Sequence, residues 1–250
     1  MRNPREEAEL IVEALFEDYG TGGITRGECP GVDGREAILE MKEAGFPGWQ
    51  EVEWPGFHVK FLVQRECREK LNGEVQPYDL DKKRHLVRGD YVWDTRFHAN
   101  ERSDDIPLGD VKGYNDLVKE HGGIGLLVVD AAVVKDENGD FRRWHEELKG
   151  GSSEYSLERE RDGRPPRERK SRYLIVGVYA YFFTLDDLNK GIMDGWTDDD
   201  FQRTMRNANG ARRKSKYLLK GSEIPDEHLL FVKNFNMDPE EFEEQFPGNT

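Results

Sequence analysis

Apolar and polar residues alternate with regular periods along much of the chain, and these periods predict its helices. A period near 3.6 residues predicts helices over 4–20, 34–45 and 48–71. In the third of these, Pro55 either kinks the helix or marks its first turn. Further helical patterns cover 107–123, 141–151, 186–195 and 239–245.

Shorter periods and continuous apolar runs predict the strands. Two strand-like runs occupy 77–99, on either side of a turn near Arg88 to Asp90. Long apolar runs at 124–134 and 173–185 predict buried strands. The mixed order of helices and strands predicts one α/β domain, with a mixed central β-sheet flanked by helices. We expect it to carry an N-terminal helical segment (1–48) and an acidic C-terminal tail (237–250).

The stretch "YVWDTRFHAN" (91–100) combines a strand pattern with charged residues. Aromatic residues dominate one phase of its alternation, while the other phase carries Asp94, Arg96 and His98. Charges on a sheet face are costly unless they are paired, solvated or bound to a metal. The stretch therefore predicts either an exposed, ion-paired face or an active site.

Composition limits the possible functions. The chain has 250 residues, 35% of them charged, and a net charge of −14. We expect a soluble protein without membrane association, and a cytoplasmic one because no signal peptide is recognisable at the N-terminus. Cys29 and Cys67 are interpreted as structural thiols. The negative charge disfavours a protein that coats nucleic acid nonspecifically, but it leaves a sequence-specific one open.

Two segments are locally basic and are predicted to bind DNA. Residues 157–172 carry seven Lys or Arg among four acids, and residues 201–220 carry seven with no acid. Pro165 and Pro166 predict a non-helical, extended first segment that could lie along DNA. A solvated loop remains the alternative for this segment. In the second segment we expect phosphate contact, and Asn207 and Asn209 either pair with adenine or form a turn at Asn209-Gly210. The candidate contacts are Arg159, Arg161, Arg164, Arg167, Arg169, Lys170, Arg203, Arg206, Asn207, Arg212, Arg213 and Lys214.

The hairpin also carries a possible metal site. Asp79 and Asp94 on neighbouring strands can converge at one end of a sheet, and paired carboxylates bind hard divalent cations such as Mg²⁺. Arg96 lies two residues beyond Asp94, so it points to the same side and can hold a water or a phosphate oxygen. Such a pair of Asp residues is common by chance, and a surface hairpin with an ion pair remains the alternative.

Several motifs together resemble a known family. "WQEVEWPGFHVKFLV" (49–63) and "YVWDTRFHAN" resemble the W-x-x-x-E-W-x-G-F and W-D-x-K-x-H motifs of a group of type II restriction endonucleases in the PD-(D/E)xK superfamily. "FRRWHEELKGG" (141–151) resembles the family's F-x-x-W-H-x-x-L-K-G helix. Residues 158–182 and 201–216 resemble its Arg-rich segment and its F-R-N-x-x-G-x-x-R element. The matches occur in order over about two-thirds of the chain.

The resemblance implies a restriction-endonuclease-like core and a hydrolase that cleaves double-stranded DNA at specific sites. It implies that Mg²⁺ activates water, that the protein is a homodimer, and that it serves restriction–modification. Asp94 and Asp79 would bind the metal, with Asp81 an alternative to Asp79. Glu53 would add a carboxylate from the preceding helix, and His98 would flank the site.

The chain departs from the family pattern at Arg96, where the family has a lysine. Arginine stays protonated, so it can clamp a phosphate but cannot act as a base. A catalytically impaired homologue that binds specific DNA is therefore a second hypothesis. A protein that does not act on DNA is a third, because of the net charge of −14.

Overall fold

A computed structural model describes residues 2–21, 31–71, 75–78, 85–88, 90–99, 104–206 and 210–235. The α-helices within these ranges are α1 (Pro4–Thr21), α2 (Gly34–Glu43), α3 (Trp54–Lys70), α4 (Val111–His121), α5 (Asp140–Leu148), α6 (Glu154–Arg161) and α7 (Leu185–Asp194). The strands are β1 (Gly31–Asp33), β2 (Val75–Tyr78), β3 (His85–Arg88), β4 (Tyr91–Ala99), β5 (Asp105–Asp110), β6 (Ile124–Lys135), β7 (Lys170–Phe183), β8 (Thr197–Phe201), β9 (Lys216–Lys220) and β10 (Leu229–Asn234).

Seven of the described strands form a mixed sheet in the order β1-β7-β6-β4-β3-β2, with β10 also paired to β7. The central strands β4 and β6 are parallel, and their register sets His98 opposite Asp130. The other described pairs of this sheet are antiparallel. Parallel neighbours require a crossover connection, and this one contains β5 and α4. Strands β5, β9 and β8 form a separate small sheet.

The mixed sheet is buried on both faces. Helices α1, α2 and α3 cover one face, where they pack with Trp93 and Tyr173. Helices α4 and α7 and the small sheet cover the other face, where they pack with Val92 and Leu126. Neighbouring residues of β4 thus enter opposite cores, as the period of two requires. The predicted mixed sheet with helices on both faces is confirmed.

Two predicted elements around Glu53 and Asp94 have different bounds. The helix predicted over 48–71 begins only at Trp54, and Pro55 lies in its first turn rather than at a kink. The two strands predicted on either side of a turn near Arg88 to Asp90 are present as β3 and β4, which pair antiparallel. The prediction is wrong for the start of the range, because Pro77 and Tyr78 belong to a third strand, β2, and β3 lies between it and β4. Strands β2 and β3 have four residues each, too few for a period of two to separate them.

Two further predictions were wrong in part. The helix predicted over 107–123 begins at Val111, because β5 continues to Asp110, which caps α4 by accepting from the Gly113 N–H at 3.0 Å. The Arg-rich segment is helical through Arg161, since Pro165 and Pro166 lie beyond the end of α6. The helix predicted over 239–245 and the tail 237–250 lie outside the described residues.

In the described part of the chain, no helix combines the length and the apolar character that crossing a membrane requires.

Candidate active site

A hydrogen bond joins the first turn of α3 to the first residue of β7. Proline suits the first helical turn, where its missing N–H would have no helical partner, and Pro55 lies there. The buried Trp54 donates its indole N–H to the carbonyl oxygen of Lys170 at 2.7 Å. This contact brings Glu53, which immediately precedes α3, next to Lys170, whose Nζ lies 2.8 Å from Glu53 Oε2.

A second contact orients α3 one turn further on. The buried His58 hydrogen-bonds through Nδ1 to the Tyr173 hydroxyl at 2.8 Å and through Nε2 to Glu40 at 3.1 Å. Burial lowers the pKa of His58, and the hydrogen bond to Glu40 opposes that shift. His58 thus joins α3 to both β7 and α2, which fixes the direction in which the next turns of α3 project.

A cleft of about 360 Å³ lies between the first turns of α3, the second half of β4 and the beginning of β5. Its ionisable lining residues are Glu53, Lys60, Arg96, His98, Asp105 and Lys170. The structure therefore brings together three residues predicted for catalysis, Glu53, Arg96 and His98. Lys60 and Asp105 were not predicted.

Asp94 lies in the middle of β4 and has no exposed surface. Its Oδ1 is 3.3 Å from Lys60 Nζ. Its Oδ2 is 2.8 Å from Arg96 Nε and 2.5 Å from Arg96 Nη2. The alternative of a surface hairpin is wrong, because Asp94 is fully buried, although the ion pair is present. Lys60 and Arg96 also line the cleft, so the buried carboxylate is connected to it through two cations.

Residues of α4 and β9 lie near Asp94 and Arg96. Burial raises the pKa of the Tyr114 phenol well above its usual value, and the negative charge of Asp94 adds to the shift. On β9, burial lowers the pKa of Lys216, with further contributions from the nearby positive charges of Arg96 and Arg213. The surroundings of Asp94 and Arg96 thus combine positive charges with a buried hydroxyl.

His98 lies near the carboxyl end of β4, one strand away from an acidic partner. Its Nδ1 is 2.9 Å from Asp130 Oδ1 on the parallel neighbour β6. This contact fixes the orientation of the imidazole at the cleft. Open α/β sheets commonly bind ligands beyond the carboxyl ends of their parallel strands, and this cleft has that position.

The donor chemistry of the cleft fits a hard cation only in part. Asp94 and Glu53 offer the carboxylate oxygens that Mg²⁺ prefers. However, Asp94 pairs with Lys60 and Arg96, while Glu53 is 62% exposed and pairs with Lys170. The described residues contain no group of three or more acidic, His or Cys side chains that could hold a metal. Further ligands would have to come from elsewhere, and the candidates Asp79 and Asp81 lie outside the described residues.

The pairing of β2, β3 and β4 shows which part of β4 lies level with the end of β2. Tyr78 pairs with His85, and the next residue of β3, Leu86, pairs with Trp93 of β4. The last described residue of β2 is therefore level with the segment of β4 that contains Asp94.

The first basic segment is partly engaged in local contacts. Arg159 donates to the carbonyl oxygen of Pro165 at 2.7 and 3.0 Å, and Arg164 pairs with Asp162 at 2.7 Å. Arg169 is only 4% exposed and pairs with Glu146 at 3.5 Å. The predicted DNA contact Arg169 thus lies in a buried position rather than on the outer surface. Arg161 and Arg167 are exposed, and Lys170 reaches the cleft.

The described residues of the second basic segment make local contacts between β8 and β9. Arg206 and Arg212 pair across an isolated bridge, and Arg206 donates to the Gly210 carbonyl oxygen at 2.7 Å. Arg203 pairs with Asp200 at 3.0 Å, so an acid just outside the segment partly neutralises it. Arg212, Arg213 and Lys214 are exposed, and Asn207 lies outside the described residues.

Comparison with known proteins gives no relative: neither a family model, nor a curated protein, nor a solved structure matches the chain.

Proposed function

We propose that this protein is a Mg²⁺-dependent, sequence-specific endonuclease that hydrolyses phosphodiester bonds of double-stranded DNA. The observation that carries the proposal is Asp94, a fully buried carboxylate in a central strand whose two oxygens contact cleft-lining cations. Burying a charged cluster is a weak source of stability, whereas catalytic sites commonly keep such charges in a cleft. The finer fold assignment, a restriction-endonuclease-like core, is part of this proposal.

The roles of the cations follow from their chemistry. Lys60 can hold a water through its ammonium group. It can also accept a proton when it is a neutral amine, a form that lysine adopts in a suitable environment. Arg96 stays protonated and suits a phosphate oxygen on which charge develops. The two functions that a single lysine combines in the resembled motif are thus divided between a residue of α3 and a residue of β4.

Asp94 would contribute to a Mg²⁺ site, together with Glu53 and a carboxylate from Asp79 or Asp81. When bound, Mg²⁺ would neutralise phosphate charge and lower the pKa of water. His98, held by Asp130, would flank the scissile phosphate.

The basic residues at the cleft support DNA as the substrate. Lys170 at the end of the first basic segment lines the cleft, and Lys216 at the end of the second lies near Arg96. The first segment therefore reaches the cleft and the second reaches the surroundings of Arg96. Local positive charge is what phosphate binding requires despite a net charge of −14. We further propose a homodimer that binds a palindromic site and acts in the cytoplasm as part of restriction–modification.

The test is digestion of a plasmid library by the full-length protein with Mg²⁺, followed by sequencing of the ends. Defined ends that appear with Mg²⁺ and are absent with EDTA support the proposal, and they also give the site and the cut position. Intact DNA across Mg²⁺, Mn²⁺ and Co²⁺ contradicts it.

One observation favours a second candidate, a catalytically impaired protein of the same fold that binds specific DNA. Both oxygens of Asp94 are engaged by Lys60 and Arg96, so a metal would have to compete with internal ion pairs. This candidate predicts selective duplex binding in a mobility-shift assay without cleavage under any divalent metal.

A further inference from the structure

A second cleft, of about 480 Å³, lies between α5, α6 and the segment that follows α6. Its lining is dominated by guanidinium groups, with two glutamates, Glu146 and Glu160, as the acidic members. Arginine side chains therefore exceed acidic ones, and a net positive cleft favours an anion over a cation. The lining arginines in the described part of the chain are Arg142, Arg159, Arg164, Arg167 and Arg169.

Arg169 provides the strongest indication of a ligand. It is 4% exposed, and its Nη2 lies 3.5 Å from Glu146 Oε1. Its Nε and Nη1 are buried without a hydrogen-bond partner among the described residues. Unsatisfied buried donors, especially charged ones, are costly and rare in folded proteins. An acceptor bound in the cleft would satisfy them.

The positive charges of the other cleft arginines further favour binding of an anion. Burial lowers the pKa of Arg169, Glu146 opposes this shift, and the positive charges of Arg167 and Arg142 add to it. The cleft thus holds like charges near a buried guanidinium with one acidic partner close to it. A bound anion would relieve this repulsion.

The wall of the cleft is held in place by the end of α6. The Arg164 N–H donates to the Arg159 carbonyl oxygen at 2.8 Å, and the Gly163 N–H donates to that of Glu160 at 3.0 Å. With Gly163 at φ +66°, these bonds form the Schellman motif that ends helices. The Arg159 side chain then crosses the turn to the Pro165 carbonyl oxygen. These bonds fix the turn, so the site requires little ordering on binding.

We propose that this cleft binds one phosphate group. Guanidinium groups match the geometry of tetrahedral oxyanions, and their hydrogen bonds to phosphate are charge-assisted. The volume lies within the range of ligand-binding sites, so the phosphate can belong to a free phosphate or mononucleotide, or to the backbone of DNA. The inference is independent of the proposed nuclease activity. It concerns Arg169, whereas the next residue, Lys170, lines the candidate active site.

The first experiment measures binding of inorganic phosphate to the full-length protein by isothermal titration calorimetry. The variants are Arg142→Ala and Arg164→Ala, and the matched control is Arg143→Ala, which removes an arginine of α5 that pairs with Asp140. Loss of one charged hydrogen bond should weaken binding about tenfold, while the control should bind as the wild type does. Arg169→Gln should abolish binding, and its thermal unfolding shows whether the fold is kept.

The second experiment distinguishes the source of the phosphate. The competitors are a deoxynucleoside 5′-monophosphate and a duplex without terminal phosphates. Competition by the mononucleotide alone identifies a free phosphate or nucleotide. Competition by the duplex, with a logarithmic salt slope lower by about 1 in Arg142→Ala, identifies the DNA backbone.

The proposal is overturned if neither inorganic phosphate, nor the mononucleotide, nor the duplex binds. It is also overturned if Arg142→Ala and Arg164→Ala bind all three ligands as tightly as the control does. Phosphate binding without any cleavage of DNA would leave this site established and the nuclease proposal refuted, so the two failures can be distinguished.

Discussion

Lys60 Nζ lies 3.3 Å from Asp94 Oδ1, although 34 positions separate the two residues in the chain. Arg96 contacts the other carboxylate oxygen. Asp94 is therefore held between an ammonium group, which can lose a proton, and a guanidinium group, which keeps it. This difference allows the two cations to be tested separately.

The first prediction concerns Asp94. Asp94→Asn keeps the size of the side chain and removes its negative charge, so we expect plasmid cleavage to fall by about 10²-fold or more, as for loss of other preorganised charges. The measurement is the initial rate of nicking of supercoiled plasmid with Mg²⁺. Asp116→Asn, an exposed change on α4, is the control and should keep the wild-type rate. Unchanged cleavage by Asp94→Asn would show that the site is elsewhere.

The second prediction separates Lys60 from Arg96. Lys60→Met and Lys60→Arg should both lose about 10²-fold in single-turnover cleavage, because neither side chain can accept a proton at neutral pH. Arg96→Lys keeps a positive charge beside Asp94 and should stay within about tenfold of the wild type. If Lys60→Arg cleaves normally while Arg96→Lys is inactive, Lys60 does not accept a proton and the guanidinium group of Arg96 is the required cation. Melting temperatures of all three variants identify any loss of fold.

The contact between Lys60 and Asp94 also shows what the sequence could predict. Strands β4, β6 and β7 are long and strongly patterned, and their positions were predicted to within a few residues. The direction of α3 was not predictable, because it depends on the distant contacts of Trp54 with Lys170 and of His58 with Tyr173. Without that direction, the sequence does not distinguish Lys60 from a solvent-exposed lysine on a helix. A local signal did exist, since Lys60 lies seven positions after Glu53 and hence on the same side of the helix.

The different environments of Arg169 and Lys170 could not be predicted for a related reason. Lys170 and Arg169 are neighbours in a charged segment, yet one reaches the candidate active site and the other is buried against α5. Both residues are basic, so the charge of the segment does not distinguish them. Their separation arises where β7 begins, because successive side chains then point to opposite sides, and charge alone does not predict the residue at which a strand starts.

The third prediction tests the packing of the central parallel pair. A Cβ added at Gly125 of β6 would lie 2.1 Å from Cε3 of Trp93, which is fully buried. Gly125→Ala should therefore lower the free energy of unfolding by about 3 kcal/mol, the upper part of the usual range for overpacking. The measurement is urea denaturation followed by circular dichroism.

Gly56→Ala is the matched control for that change. A Cβ at Gly56 in α3 would meet Phe97 at 3.5 Å, an ordinary van der Waals distance. Because alanine favours a helix over glycine, this variant should be more stable by about 0.5 kcal/mol. Equal stability of Gly125→Ala and the wild type would contradict the close approach of β4 and β6 at this point.

The fourth prediction concerns the pH dependence of stability. His145 is fully buried, and its Nε2 lies 2.8 Å from the carbonyl oxygen of Trp49, so this nitrogen carries the proton and donates. Its Nδ1 has no partner among the described residues. Burial lowers the pKa of His145 from its ordinary 6.5 to about 4, although the bond to Trp49 opposes the shift.

Between these two pKa values the unfolded chain binds a proton at His145 that the folded protein does not bind. The free energy of unfolding must therefore fall as the pH falls, and His145 should contribute a loss of about 2 kcal/mol between pH 7.5 and 4.5. The measurement is urea denaturation of the wild type and of His145→Gln at both pH values. Glutamine can still donate to the Trp49 carbonyl oxygen and does not titrate, so the variant should lose less stability on acidification by that amount. An identical loss in the two proteins would mean that His145 is not the group that titrates.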